Sequence, residues 1–569
     1  AALAAHGVEF PCGGMGECGG CGVRILSGSL PIADADRSIF TEQELAAGWR
    51  LACQARPESP LVLECAQWQM EILADDKTGC PILNASCAFR VGKKLTPKPG
   101  LGVAIDLGTT TIAAQLLDLA TGNVLGVETM LNPQAAYGSD VMSRIRAALE
   151  GHDLTSPIRT ALGALVARLA VGRESQITEV LLVGNTVMHH LFCGLSVEPL
   201  SHVPFASPHL AEQRFTPRDL AWSLPADCIV RFARCIGGFV GSDILAGIVA
   251  SGIAQRDELT ALVDLGTNGE IAIGNRNGIV CASTAAGPAF EAGAIRMGMR
   301  AVTGAVSYVA LHDGQLHTTV IGDAAPRGIC GSGVVDAVAA GLRSGAILPN
   351  GRIADGTKVF PVAPPVVLYQ SDIRELQLAK AAIAAGFRLL LKQLRAPEQE
   401  RRSSQVSALK GHDSSHAISS QVSALKGHDS GHAISSQVPA LKGHDSSHAI
   451  SSQVPALKGH DFSRAVSTAN KEGALASEGN PDLRSIHLAG AFGNYAQIDS
   501  AIRIGLLEFP HTLIHAAGNT ALRGAKMLLL ADREPALPPI EHISLASDPA
   551  FQDEFANCMT FPQRGEAQD

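Results

Sequence analysis

The clearest regularity along the chain is an apolar run that ends in Asp-Leu-Gly-Thr and resumes as a second apolar strand. It occurs in "LGVAIDLGTTTIAAQLLDLATGNVLG" at 101–126 and again in "ALVDLGTNGEIAIGNRNGIVCAST" at 261–284. Each reads as strand, glycine turn, strand, turn, strand. Between them, 139–170 has helical character and "EVLLVGNT" (179–186) reads as a buried strand. A unit that appears twice predicts a duplicated α/β fold with a cleft between the copies. Further on, "GICGSG" (328–333) precedes the helical "VVDAVAAGL", and "RSIHLAG" leads as a strand into the glycine turn of "LAGAFGNYAQ" (488–497). "GNTALRGAKMLLL" (518–530) reads as a helix with small residues on one face, suited to close packing between lobes.

A repeat of another kind fills 403–466, where "SSQVSALKGHDSSHAI" and three near-identical copies follow one another at a period of 16. Three copies carry H-x3-H (His412/His416, His428/His432, His444/His448), and the fourth has Arg464 in the second position. Histidines at i,i+4 on a helix can bind a metal. Gly, Asp and Ser between them disfavour that helix, so the stronger expectation is a disordered, dispensable insert over 398–480. The domain plan is then 1–75, a small cysteine-rich domain; 76–100, a linker; 101–260, a first lobe; 261–545, a second lobe carrying the insert; and 546–569, a tail. A separate middle domain ending near 180 is the alternative for the first lobe.

Composition narrows the function. The 569 residues include 46% hydrophobic and only 4% aromatic residues, with a net charge of −9. That balance argues against nucleic acid as a partner. There is no stretch of about 18 uncharged apolar residues, so no membrane span is expected. Thirteen cysteines, most of them single in apolar surroundings (Cys193, Cys281, Cys330), suit a reduced, cytoplasmic protein.

Three of those cysteines are different. "PCGGMGECGGCG" (11–22) spaces Cys12, Cys18 and Cys21 as C-x5-C-x2-C, and Cys53 follows in "WRLACQARP". One hook, one earlier cysteine and one distant cysteine is closer to ferredoxin spacing than to the paired hooks of zinc sites. Glycines let such a loop turn its N–H groups toward sulfide. Zinc and a purely structural role remain the alternatives. The stretch resembles 2Fe–2S ferredoxin domains of the adrenodoxin-like spacing, which implies Cys12, Cys18, Cys21 and Cys53 as ligands. Those domains open with a β-hairpin that this chain lacks before its first helix-like segment, so a truncated β-grasp is expected.

The two Asp-Leu-Gly-Thr turns suit phosphate chemistry. Backbone N–H groups and hydroxyls in such a turn cradle phosphates, and an Asp at the strand end can hold Mg2+ through water. The set resembles the acetate and sugar kinase, heat-shock chaperone and actin superfamily. That resemblance implies a ribonuclease-H-like, actin-type ATPase of two lobes. Gly108, Thr109, Thr110 and Thr111 match the first phosphate motif, and Gly266, Thr267, Asn268 and Gly269 the second. Gly490 and Gly493 match the adenosine motif. Asp106, Asp264 and Glu270 are the implied catalytic carboxylates, and the helix from Asn519 matches the second connecting motif. "LLVGNTVMHH" (181–190) sits where the first connecting segment is expected.

Ferredoxin-like start, linker and ATPase pattern together, with "GNTVMHHLF", "DLGTNGEI", "AGPAFE" and "LAGAFGN", resemble the reductive activators of corrinoid proteins. The resemblance implies an ATP-dependent electron transfer through a 2Fe–2S cluster that takes a Co(II) corrinoid methyl-carrier protein to Co(I). It implies ATP with Mg2+ and a low-potential donor such as a ferredoxin or its reductase; a homodimer is the alternative to a single chain. Two other functions compete. A small-molecule kinase of the same superfamily would need a substrate-facing base, for which Asp243 and Glu291 are the candidates. A redox-sensing scaffold would use the cluster and the histidine repeats without turnover.

Overall fold

The computed structural model of the chain describes residues 22–40, 42–57, 61–65, 98–266, 268–395, 483–490, 497–531 and 535–563. The cysteine loop up to Cys21, most of the linker and the repeat insert lie outside them, as do the expectations placed there.

In the cysteine-rich part, β1 (Gly22–Ser27) is the centre of a three-stranded antiparallel sheet. β2 (Trp49–Leu51) and β3 (Val62–Cys65) flank it. α1 (Asp34–Ile39) and α2 (Glu42–Ala46) link β1 to β2. Asp36 is the joint: its buried carboxylate accepts hydrogen bonds from the N–H groups of Ala33 and Leu51, both at 2.7 Å. Arg50, also buried, donates to the Leu45 carbonyl at 2.9 Å. These bonds fix the course of the chain as it enters Cys53.

The first lobe is a six-stranded sheet. β4 (Leu101–Leu107), β5 (Thr111–Asp118) and β6 (Val124–Leu131) form a meander, and β7 (Ile177–Val183) runs parallel to β4. β8 (Gln213–Phe215) and β9 (Ile229–Phe232) complete the order β6-β5-β4-β7-β9-β8. α3 (Val141–Leu149), α4 (Thr155–Leu169) and α5 (Thr186–Cys193) pack on this sheet. The single helical stretch expected at 139–170 is thus two helices. Gly151 at φ +90° ends the first, and Asp153 Oδ1 accepts from the N–H groups of Thr155 and Ser156 at the start of the second.

α6 (Ser242–Ser251) leads into the second sheet. There β10 (Leu259–Leu265), β11 (Gly269–Asn275) and β12 (Gly278–Thr284) repeat the meander. The remaining chain adds β13 (Ala305–His312), β14 (Gln315–Val320), β15 (Gly328–Ile329), α7 (Gly331–Ser344), β16 (Val359–Ala363), β17 (Val366–Tyr369) and α8 (Gln370–Arg395). After the insert come β18 (Leu483–Ala489), α9 (Ile498–Arg503), β19 (Ile514–Gly518), α10 (Thr520–Leu530), β20 (Ile540–His542) and α11 (Pro549–Asn557). The second sheet runs β19-β18-β10-β11-β12-β20, with β18 parallel to β10 and β19 parallel to β18. Meander plus parallel strands is the pattern of the first sheet, so the duplication read from the two Asp-Leu-Gly-Thr runs is a duplication of fold.

Both central strands are apolar and covered on both faces, as parallel strands between helices are. In β4 every residue is buried except Asp106, and in β10 Asp264 interrupts the buried run at the same place, one residue before the last leucine. The lobes meet through α6 and α10. Gly524 of α10 lies against the Ala246 carbonyl of α6, and Gly247 of α6 lies against Thr520 of α10. Side chains there would push the helices apart. The helix that crosses α10 is therefore α6. The segment expected in that role, 181–190, ends β7 and starts α5, and its Val187 and Met188 are buried in the first lobe's own core.

Candidate functional site

The site is built where β4 and β10 end. Asp106 and Asp264 project there, and α6 and α10 both start there. Asn519, which caps α10, donates its side-chain amide to Asp106 Oδ2 at 2.8 Å and accepts from the Leu522 N–H at 2.7 Å. Asp243 lies in the first turn of α6 and accepts from the Ile244 N–H at 2.8 Å. Glu270 pairs across the strands with Asp264 and accepts from Ser283 Oγ at 3.3 Å.

These four carboxylates share one electrostatic environment. Burial pushes Asp106 up to about 6, against the lowering effect of the Asn519 bond. Burial and then the Asp106 charge take Asp264 to about 7. Asp243 rises to about 8 through burial, then Asp264, then Asp106. Glu270 is raised well above its ordinary value by burial and by Asp243 and Asp264. Acids that raise one another in a shielded cleft favour a bound cation. Among the described residues no three His, Cys, Asp or Glu side chains converge closely enough to ligate an ion directly.

The first turn is held from beneath by residues the sequence did not single out. Arg144, fully buried in α3, donates from Nη2 to the Thr109 carbonyl at 2.6 Å and from Nε to the Gly138 carbonyl at 3.0 Å. Asn132 Nδ2 donates to the Gly108 carbonyl at 2.9 Å, and Asn185 Nδ2 donates to Thr109 Oγ1 at 2.9 Å. Asn185 also caps α5. Gly108 has no room for a side chain against the Thr111 carbonyl. The only hint of these roles in the sequence is Asn185, inside the "GNT" turn.

Thr110 faces across the cleft: its hydroxyl donates to Glu291 Oε2 at 3.4 Å. The "GICGSG" glycines help place Glu291, because Gly331 packs against the Phe290 carbonyl. In the second turn, Gly266 N–H donates to the Asn268 carbonyl at 3.0 Å, and Asn268 bonds the Glu270 carboxylate. Gly490, at φ +85°, brings the end of β18 so close that a Cβ would stand 2.5 Å from Asp264 Oδ1. The structure thus brings Asp106, Asp264, Glu270, Asp243 and Gly490 together. Thr267 and Gly493 lie outside the described residues.

Cys53 is the one described member of the proposed cluster ligands. It is half-buried just after β2, packed against the small core of Val23, Leu51 and Ala52. Cys12, Cys18 and Cys21 lie outside the described residues. The described cysteines at 193, 228, 235, 281, 330 and 558 form no disulfide.

Comparison with known protein families matches three stretches of the chain. Residues 101–256 match the model for the RACo middle region. Residues 258–404 and 472–568 match the C-terminal domain of RACo, the ASKHA domain. Residues 1–58 match the 2Fe-2S iron-sulfur cluster binding domain. The corrinoid activation enzyme RamQ of Eubacterium limosum is 30% identical over 499 residues, spanning 80% of this chain and 70% of that protein. The chain belongs to the family of reductive activators of corrinoid proteins. A Co(II) methylated amine-specific corrinoid protein reductase of Methanosarcina barkeri is 27% identical over 333 residues, spanning 51% of this chain and 59% of that protein. In fold, the chain is similar to a solved reductive activator for corrinoid, iron-sulfur protein, with a TM-score of 0.58 at 23% identity over 98% of this chain and 94% of that one. The break in the C-terminal match, between 404 and 472, falls on the repeats. No described helix is long and apolar enough to cross a membrane.

Proposed function

We propose that this protein uses ATP to drive one electron from a low-potential donor onto the Co(II) corrinoid of a methyl-carrier protein, giving Co(I). The observation that carries the ATP half is the meeting of Asp106 and Asp264 at the mouths of two equivalent sheets, with Asn519 of the connecting helix bonded to Asp106. A bound 2Fe–2S cluster, held by Cys12, Cys18, Cys21 and Cys53, would supply one-electron transfer.

The rest is work for the chain's own groups. The turns at 107–111 and 265–270 present N–H groups and hydroxyls to the nucleotide phosphates, and Gly490 leaves backbone open for the nucleoside. Asp106, Asp264 and Glu270 would hold Mg2+ through its waters, and Asp264, raised to about 7, would there give up the proton it holds in part at neutral pH. Nucleotide between the lobes shifts their equilibrium. A shift of about 5.5 kcal/mol corresponds to a roughly 10⁴-fold change in populations, enough to set an otherwise uphill electron transfer in motion. A low-potential protein such as a ferredoxin or its reductase would load the cluster.

The test is anaerobic. Protein, ATP, Mg2+, a low-potential donor and a Co(II) corrinoid protein are mixed, and the Co(II) band is followed in the visible spectrum. Loss of the band that needs ATP is expected. A cluster visible by EPR together with an unchanged Co(II) band defeats the proposal.

A further inference from the structure

Lys98 stands where the linker ends, three residues before β4. Its Nζ donates to the Leu529 carbonyl at 2.9 Å and lies 3.4 Å from Glu179 Oε2. On the other side of the same carboxylate, Arg231 Nε meets Glu179 Oε1 at 2.6 Å, and Arg231 Nη2 donates to the Leu528 carbonyl at 3.4 Å. Two cations on one carboxylate therefore grip the last turn of α10. The carbonyls there have no partner within the helix, and the helix dipole favours positive charge. All three side chains are largely shielded, at 25%, 17% and 18% exposure for Lys98, Glu179 and Arg231, so solvent screens them less than a surface pair.

Glu179 sits on β7 and Arg231 on β9, both in the first lobe. α10 follows β19 and belongs by chain to the second. The far end of α10 is Asn519, bonded to Asp106. The 11 residues of α10 make a rod about 16 Å long. One end touches the nucleotide cleft and the other touches the point where the linker leaves the ATPase. Pro99 stiffens the backbone beside that point, with its own φ fixed and its predecessor held extended. Gly100 is seated against Thr178, so the chain beyond is anchored to the sheet.

We propose that Lys98, seated with Arg231 on Glu179, is a positioning residue that transmits nucleotide-driven movement of α10 to the linker, and so to the cluster-bearing region before it. This rests on the ATP-coupled reading above. When nucleotide and cation load the Asp106 end, α10 shifts as a unit because its backbone bonds hold it rigid. Its last carbonyls carry Lys98 with them. Lys98 stands at the opposite end of α10 from Asp106.

The test uses the full-length protein with its cluster. Lys98→Met keeps the aliphatic stem and removes the charge, and Lys98→Arg restores a donor. The readout is the ratio of Co(II) reduction rates with and without ATP, beside ATP affinity by fluorescent-nucleotide titration and melting temperature. Lys98→Met is expected to lower the ratio by roughly fivefold or more, the lower end of typical coupling strengths, with ATP affinity and the ATP-free rate unchanged. Lys98→Arg is expected to recover most of the ratio. Full ATP stimulation in Lys98→Met overturns the inference. So does an equal fall of both rates, which marks a merely structural role. A wild-type protein without ATP stimulation overturns the functional reading itself, and this inference with it.

Discussion

Asn519 and Asp106 are 413 residues apart in the chain and 2.8 Å apart in space. The bond closes the strand end of one lobe onto the helix start of the other. It also lowers the proton affinity of an acid that burial raises. Asn519→Ala removes both this bond and the cap on α10. The cap alone is worth about 1 kcal/mol, equivalent to a fall of roughly 2–4 °C in the melting of one lobe of about 150–250 residues. ATP affinity is expected to fall as well, and the pH midpoint of ATP binding to move upward, because Asp106 then holds its proton longer. Calorimetric titration at several pH values measures both.

The cleft carboxylates also set how stability depends on pH. Asp106, Asp264 and Asp243 reach about 6, 7 and 8 in the folded protein, and Asp336 about 7, chiefly through burial. Their raised values favour the folded state at low pH, and that advantage is lost as pH rises through the folded values. His189 and His487, lowered to about 4 mainly by burial, act oppositely, but their contribution is complete above pH 6.5. Between pH 6.5 and 8 the nucleotide-free protein should therefore lose stability, on the order of 1 kcal/mol per group and pH unit at most. Mg2+ with ATP should offset the loss, and more so at pH 8. Thermal melts with and without Mg2+-ATP test this. An apo melting temperature that rises across the window contradicts it.

Gly490 allows no side chain. With φ at +85° and Asp264 Oδ1 2.5 Å from an added Cβ, Gly490→Ala combines backbone strain of about 1–2 kcal/mol with displacement of Asp264. Nucleotide binding should drop more than tenfold, since about 1.4 kcal/mol already corresponds to that factor. A normal dissociation constant for this variant would show that the β18 turn has no part in the site.

Glu291 places a carboxylate on the Thr110 hydroxyl that the phosphates would use. Glu291→Gln keeps the size and an acceptor while removing the charge. Tighter nucleotide binding is expected, by about two- to fivefold for a partly solvated charge. Weaker binding would instead make the Glu291 charge a contributor to the nucleotide site.

Cys53→Ser should remove most of the visible absorbance and the EPR signal of the anaerobic protein while leaving ATP affinity unchanged. Retention of the full spectrum would remove Cys53 from the ligand set.

Legibility in the sequence followed distance along the chain. The two aspartates were readable because strand, aspartate and glycine turn are neighbours in sequence, and the pattern recurs. The helix from Asn519 was readable from its small-residue face. Arg144 was not, because an arginine in an amphipathic helix looks like any solvated one until the fold closes over it. Asn132, Asn185 and Lys98 act through partners 24, 76 and 431 residues away. The joining of Asp243 to the other acids depends on how α6 crosses α10, and no local pattern encodes that crossing. The same cause misplaced the first connecting segment at 181–190, where a strand, a glycine and a helix follow in a locally plausible order.

α8 brings Ile383 against Gly269 at the start of β11 and then continues twelve residues to Arg395, about 18 Å farther along the helix axis. On that outer stretch Arg388 and Lys392 bind Glu508 and Glu554. The chain leaves for its tandem repeats beyond this fastening. Arg388 and Lys392 thus tie the outer end of α8 to the segments around Glu508 and Glu554, so the helix is fastened at residues that come before the repeats in the chain.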